Sequence, residues 1–199
     1  MDFKIPEGIN GMIFDLDGTL ADSMPIHMKA WQDACRSFGM DMSSKFLRSF
    51  TGTPGDRIAK AIVRECKMED TVEPVHIARR KIQNYINRQH LVKEVKPVAD
   101  IVREYYKMLP MAVGTGAHRV TALRTLEIIG LSDYFEHIVT ADDVSKYKPD
   151  PETFLKCSEL MKVDPADILV FEDGDFGIEA AKTAGMKAVD VRGWYEYSW

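Results

Sequence analysis

The sequence predicts an α/β protein with a parallel sheet that is interrupted once, after its first strand, by a block of helices. Three observations carry that reading. From Pro97 onward, apolar runs of strand length alternate with longer helical patterns, as a parallel sheet with helical crossovers requires. Between residues 24 and 90 the apolar positions repeat only at helical spacing, with no strand-like alternation. The strand-like runs end in small or acidic residues, which suits a ligand crevice beyond the strand tips.

The first strand is Met12-Ile13-Phe14, too short and too closely bounded for a helix, and it opens directly on Asp15-Leu16-Asp17-Gly18-Thr19-Leu20. Asp15 and Asp17 lie two apart, so an extended chain puts both carboxylates on one side. Carboxylates that close repel unless a cation, a shared proton or strong hydrogen bonds compensate, and a hard oxygen-seeking ion such as Mg²⁺ meets that need. Met24 to Phe38 follows as an amphipathic helix with Pro25 early and Gly39 beyond its end. Asp56 to Cys66 and Glu73 to His90 repeat the pattern, and the block 23–92 is expected as a helical domain inserted between residues 1–22 and 93–199. Its expected hinges are Asp22-Ser23 and Val92 to Pro97.

The alternating half then runs in order. Val98 to Leu109 is a helix, Met111 to Val113 a strand, and Ala117 to Ile129 a helix closed by Gly130. Ile138-Val139 is a strand, Glu152 to Met161 a helix, Ile168 to Phe171 a strand, Ile178 to Thr183 a helix, and Ala188 to Val191 the last strand. The aromatic tail after Gly193 is expected to pack on the surface or to continue a terminal turn.

Composition narrows the function. A chain of 199 residues with 45% hydrophobic and 29% charged residues is an ordinary globular protein with room for a sizeable core. A net charge of −5 gives no global field for a nucleic acid, so an anionic substrate must be met by a local cation. The three cysteines, Cys35, Cys66 and Cys157, are widely spaced and suit reduced thiols rather than a disulfide frame or zinc site. With no signal-like start and no apolar run of spanning length, a cytoplasmic protein without a membrane partner is expected, as a monomer.

Three further segments could carry chemistry. Gly114-Thr115-Gly116-Ala117-His118 joins a strand to a helix start and offers a hydroxyl and free N–H groups to an anion, although it equally reads as a tight turn. Lys148, between Lys146-Tyr147 and Pro149-Asp150-Pro151, sits in a non-helical segment from which its ammonium can be aimed at a phosphate or at the carboxylates; a solvated loop is the alternative. Glu172-Asp173-Gly174-Asp175 follows a strand and precedes a helix, where acids can also be simple caps.

Together with Asp15-Leu16-Asp17-Gly18-Thr19-Leu20, these segments resemble, in order and approximate spacing, the four motifs of the haloacid dehalogenase superfamily, and the resemblance covers nearly the whole chain. It implies a Rossmann-like parallel core, its first strand central, with the helical insert as a type 1 cap. It also implies Asp15 as nucleophile and Asp17 as general acid and base. Thr115 and Gly116 would bind phosphate with Lys148. Mg²⁺ would be held by Asp15, Asp17 through its backbone carbonyl, and Asp173, with Glu172 assisting. The second aspartate, Asp17, argues for phosphoryl transfer over dehalogenation.

Within the superfamily the insert resembles the β-phosphoglucomutase-like group, through Pro25 to Trp31 and the loop Thr51-Gly52-Thr53-Pro54. That likeness places His27, Gly52 and Lys81 at substrate-contacting or hinge positions of the cap. The mutase loop carries an arginine for a second phosphate, where this chain has Gly55, with Arg57 two residues on. The strings Pro110 to Gly116, Val170 to Ile178 and Ala188 to Arg192 are similar to phosphatases of the fructose-1-phosphate and 6-phosphogluconate type. The expected function is therefore Mg²⁺-dependent hydrolysis of small phosphorylated metabolites, sugar phosphates foremost, through an aspartyl-phosphate. A sugar phosphomutase is the alternative, and a non-catalytic binding protein of the same fold is the third.

Overall fold

A computed structural model describes residues 3–50 and 54–196. Strand β1 (Gly11–Phe14) is wholly buried and leads through the Asp15 to Leu20 turn to a two-residue strand, β2 (Ala21–Asp22). Helices α1 (Met24–Arg36), α2 (Ser44–Arg48), α3 (Gly55–Glu65) and α4 (Pro74–Arg88) follow. The chain then forms β3 (Lys93–Glu94), α5 (Lys96–Tyr105), β4 (Met111–Gly114), α6 (Arg119–Ile128) and β5 (His137–Val139). It closes with α7 (Glu152–Met161), β6 (Ile168–Glu172), α8 (Asp175–Thr183) and β7 (Lys187–Asp190).

The chain divides into two compact units, one of Ser23–Val92 and one of the flanking segments up to Asp22 and from Lys93 onward. In the flanking unit five strands form one parallel sheet in the order β5-β4-β1-β6-β7. Strand β1 is central; the chain passes from it to β4 and β5 on one side and crosses back from β5 to β6 and β7 on the other, so the crevice beyond its C-terminal end is the switch point of the sheet. Registers pair Phe14 with Val113 and with Phe171, which brings Asp15, Gly114 and Glu172 to one level. One face of the sheet is sealed by Phe154, Cys157 and Met161 of α7 with Ala180 and Ala181 of α8 against Ile13, Ala112 and Val170. Where the sequence leaves this unit and returns, β2 and β3 pair antiparallel, Ala21 with Glu94 and Asp22 with Lys93.

The other unit packs Trp31, Ala34 and Cys35 of α1 against Ile58, Ala59, Ile62 and Val63 of α3 and Ile77 of α4. Helix α2 is an addition to the sequence reading. Its five residues bury one large side chain, Leu47, and Ser43 Oγ caps it by accepting from the Phe46 N–H at 3.1 Å, so there is no apolar period to detect.

Boundaries also moved. Helix α5 stops at Tyr105 rather than Leu109, because Lys107 adopts φ +64° and the Met108 N–H turns back to the Tyr105 carbonyl. Helix α6 begins at Arg119 instead of Ala117, and α8 begins at Asp175 instead of Ile178. The tail lies partly against the sheet: the Trp194 ring is 5.4 Å from Phe3 and 6.2 Å from Phe171, while residues 197–199 fall outside the described ones. Among the described residues no helix is long and apolar enough to cross a membrane.

Candidate active site

Side chains from the ends of β1 and β6 and from the segment before α7 converge at the switch point. Asp15 is 7% exposed, immediately after β1, with its N–H bonded to the Phe171 carbonyl at 3.0 Å. Lys148 reaches in from the segment between β5 and α7. Its Nζ donates to Asp15 Oδ1 and to Glu172 Oε1, both at 2.7 Å, and lies 4.6 Å from the centre of the Phe154 ring. The side chains of the three ionic partners are at most 9% exposed, so the pairing is held in a low-dielectric setting.

Asp173, half-buried, completes the cluster. Its Oδ1 accepts from Thr19 Oγ1 at 3.0 Å, a contact that binds the motif after β1 to the one after β6. Glu172 turns its second oxygen to the Gly174 N–H at 2.6 Å. Two glycines make room for these acids. A β-carbon at Gly18, where φ is +99°, would overlap the Asp173 carboxylate, and one at Gly177 would overlap that of Glu172. Gly177 was not singled out in the sequence, where it reads as one more small residue near a helix start.

Burial, followed by the charges of Glu172 and Asp173, pushes the Asp15 carboxyl well above the usual carboxylate range, while Lys148 opposes the shift. Burial and Glu172 likewise carry Asp173 up to about 7, against Thr19 and Lys148. Desolvation alone would lower the Lys148 ammonium, but Asp15 and then Glu172 outweigh it, so its affinity for the proton rises. Lys148 thus bonds two of the three acids, and the upward shifts of Asp15 and Asp173 show how poorly one ammonium offsets the crowded, buried carboxyls.

One carboxylate oxygen from each of Asp15, Glu172 and Asp173 lies within 4.8 Å of the others. An all-oxygen set of three acids fits a hard divalent cation and is a poor match for soft metals. Asp17 is half-buried, and its side chain is outside this group of three; its backbone bridges to Ala21.

Thr115 follows β4, is 1% exposed and bonds through its N–H to the Val139 carbonyl at 2.9 Å. Its Oγ1 accepts from the Ala117 N–H at 3.0 Å, so the hydroxyl organises the turn that presents Gly116. Register places this turn one position past Gly114, which lies level with Asp15 on the neighbouring strand. In the helical unit, Lys81 Nζ lies 2.8 Å from His27 Nδ1, and the His27 ring stacks on Tyr85 at 4.0 Å. That contact requires an unprotonated Nδ1 accepting from the ammonium, which leaves Nε2 as the donor face of His27. Lys81 also sits 5.5 Å from the Trp31 ring. Trp31 belongs to the Pro25 to Trp31 string that carries the resemblance, whereas Tyr85 in the sequence is one more apolar position of the helix within Glu73 to His90. Gly52 lies outside the described residues.

The family description "haloacid dehalogenase-like hydrolase" matches residues 12–191, which take in every motif just described. The chain belongs to the haloacid dehalogenase-like hydrolase family. Among members of that family it is 42% identical to the fructose-1-phosphate phosphatase YqaB of Escherichia coli, over 92% of this chain and 96% of that one. It is 28% identical to a phosphorylated carbohydrates phosphatase of Thermotoga maritima, over 91% of this chain and 84% of the other. Among solved structures, a β-phosphoglucomutase from Clostridium difficile superposes with a TM-score of 0.79 at 25% identity, covering 92% of this chain and 84% of its own. Haloacid dehalogenase-like folds therefore account for the parallel sheet and for the insert between the first two motifs.

Proposed function

We propose that the protein is a magnesium-dependent phosphatase that removes the phosphoryl group from small sugar phosphates, and that it works in the cytoplasm. The observation that carries this reading is the Lys148 ammonium held between Asp15 and Glu172, with Asp173 alongside, at the switch point of the sheet. The 42% likeness to a fructose-1-phosphate phosphatase supports the substrate class. Free thiols at Cys35, Cys66 and Cys157 suit a reducing compartment.

In this reading an Asp15 carboxylate oxygen attacks the phosphorus, and the bond from phosphorus to the sugar oxygen breaks. Asp17 gives its proton to that departing oxygen, releasing the free sugar. A water then attacks the aspartyl-phosphate, Asp17 takes up a proton from it, and inorganic phosphate and the Asp15 carboxylate are regenerated. Lys148 opposes the rise that burial imposes on Asp15 and neutralises charge on the transferring group, while Thr115 and the Gly116 amide hold its other oxygens. A divalent ion held by Asp15, Glu172, Asp173 and the Asp17 carbonyl would supply further positive charge where the phosphate binds. The helical unit, with His27 and Lys81 as its polar contacts, is proposed as the cap that selects the sugar.

The decisive experiment is phosphate release from a sugar-phosphate panel with Mg²⁺, in wild type and in Asp15→Asn. Hydrolysis that survives in Asp15→Asn overturns the reading. The structural likeness to β-phosphoglucomutase gives a second reading, conversion of glucose 1-phosphate to glucose 6-phosphate without net phosphate release. Gly55, where the mutase loop has an arginine, favours hydrolysis.

A further inference from the structure

The segment that delivers Lys148 has little structure of its own. Residues 144–151 lie between a short turn at Ala141–Asp143 and helix α7, and they belong to no ladder or helix. What fixes this segment is the carboxylate of Glu152, the first residue of α7. It accepts from the Ser145 N–H at 3.0 and 3.1 Å through its two oxygens, from the Lys146 N–H at 2.9 Å and from Ser145 Oγ at 3.2 Å. The Glu152 N–H donates in turn to Asp150 Oδ1 at 3.1 Å, and the Asp150 N–H to the Tyr147 carbonyl at 3.0 Å. Lys156, one turn along α7, pairs with Glu152 at 3.2 Å.

An acid in the first turn of a helix ordinarily serves its own helix, through the dipole or by capping. Here, among the described residues, the oxygens of Glu152 take backbone N–H groups from the chain that precedes the helix. The carboxylate thereby closes a loop with Lys148 near its middle, and the amides of Ser145 and then Lys146 hold its pKa down at about 2. Two residues further on, Phe154 is fully buried with the Lys148 ammonium over its ring. The first turn of α7 therefore grips the lysine at both ends, backbone and charge.

We infer that Glu152 is a positioning residue for phosphoryl transfer, whose bonds to the Ser145 and Lys146 amides set the distance between the Lys148 ammonium and Asp15. The inference rests on the phosphatase reading for its catalytic consequence and on geometry alone for its structural one. Misplacing a charged group by about 1 Å costs on the order of a hundredfold in rate.

The test compares Glu152→Ala, Glu152→Asp and Glu152→Gln with wild type by two readouts. In Glu152→Ala, kcat for Mg²⁺-dependent phosphate release falls roughly ten- to a hundredfold while KM stays within about threefold. Glu152→Asp keeps the negative charge at the helix start but loses reach, so it loses rate as well. Glu152→Gln keeps one acceptor oxygen but sets an NH₂ against the other N–H, so its rate falls between those of Glu152→Ala and wild type. The second readout is acylation of lysines by acetic anhydride, followed peptide by peptide in the mass spectrometer. Lys148 is protected in wild type, and in Glu152→Ala it labels about tenfold faster while Lys162 is unchanged.

If Glu152→Ala fails to fold, Glu152→Asp carries both measurements. Unchanged kcat or unchanged Lys148 protection in a folded variant overturns the inference. A wild type that releases no phosphate, with Lys148 labelling that still follows residue 152, removes the phosphatase reading and leaves Glu152 as the group that sets Lys148.

Discussion

Gly18 and Asp173 contend for one volume. The backbone at Gly18 takes φ +99°, and any β-carbon there would meet the carboxylate that Thr19 holds at 3.0 Å. The positive φ alone makes Gly18→Ala cost about 1–3 kcal/mol in urea unfolding, and displacement of Asp173 adds loss of Mg²⁺ response. In an Asp173→Ala background the collision is gone. The same substitution should then cost measurably less, a non-additivity that a double-mutant cycle reads directly.

Lys148 is the only ammonium bonded to both Asp15 and Glu172 among the described residues. Lys148→Ala should lower kcat by roughly a hundred- to a thousandfold, as loss of one preorganised cation does. In the metal-free protein it should also destabilise by about 3–5 kcal/mol, because buried carboxylates are left without a partner. Chemical denaturation in EDTA checks the second effect, and steady-state phosphate release with saturating Mg²⁺ checks the first.

The three clustered acid oxygens of Asp15, Glu172 and Asp173 predict stabilisation by Mg²⁺. At a hundredfold excess over its Kd a ligand that binds only the native state contributes about 2.7 kcal/mol. For a chain of this size that corresponds to a rise in Tm of roughly 5–10 °C. Thermal scans in EDTA and in Mg²⁺ measure it, and Asp173→Asn should remove most of the shift.

A carboxylate outside the site, that of Asp143, sets a pH dependence. Burial would raise Asp143, but Arg119 at 2.6 Å and the Thr140 hydroxyl and N–H, both at 2.7 Å, outweigh it and hold the carboxyl at about 2. A native pKa below the unfolded one gives stability that is complete above about pH 4 and is lost as pH falls toward 2. Asp143→Asn should therefore be less stable than wild type by about 1 kcal/mol at pH 7. Urea midpoints of the two proteins should converge near pH 2.

In the helical unit, the 2.8 Å contact between Lys81 and His27 predicts coupled effects on substrate binding under the proposed function. Lys81→Ala should raise KM more than it lowers kcat, because the group is proposed to touch the sugar and not the reacting phosphorus. The double variant with His27→Ala should be no worse than the more damaging single one.

The residues that could be read directly are those whose behaviour is local. Met12 to Phe14 and Ile168 to Phe171 are apolar runs too short to be helices, and α1, α3 and α4 bury stripes at helical spacing. What escaped was governed by contacts distant in sequence or by single residues: α2 with one large buried side chain, the left-handed Lys107 that ends α5, and Gly177, whose missing β-carbon is explained only by Glu172 above it.

Hydrophobic period and turn chemistry act over a few residues, so the succession of strands and helices, the acids and hydroxyl at strand ends and the lysine in its non-helical segment were all legible along the chain. The resemblance implied a central first strand, but its neighbours β4 and β6, and the hydrogen bond between Lys148 and Asp15, 133 positions apart, are visible only in three dimensions. Parallel register between strands joined by long crossovers fixes those distances, and no spacing along the chain encodes it.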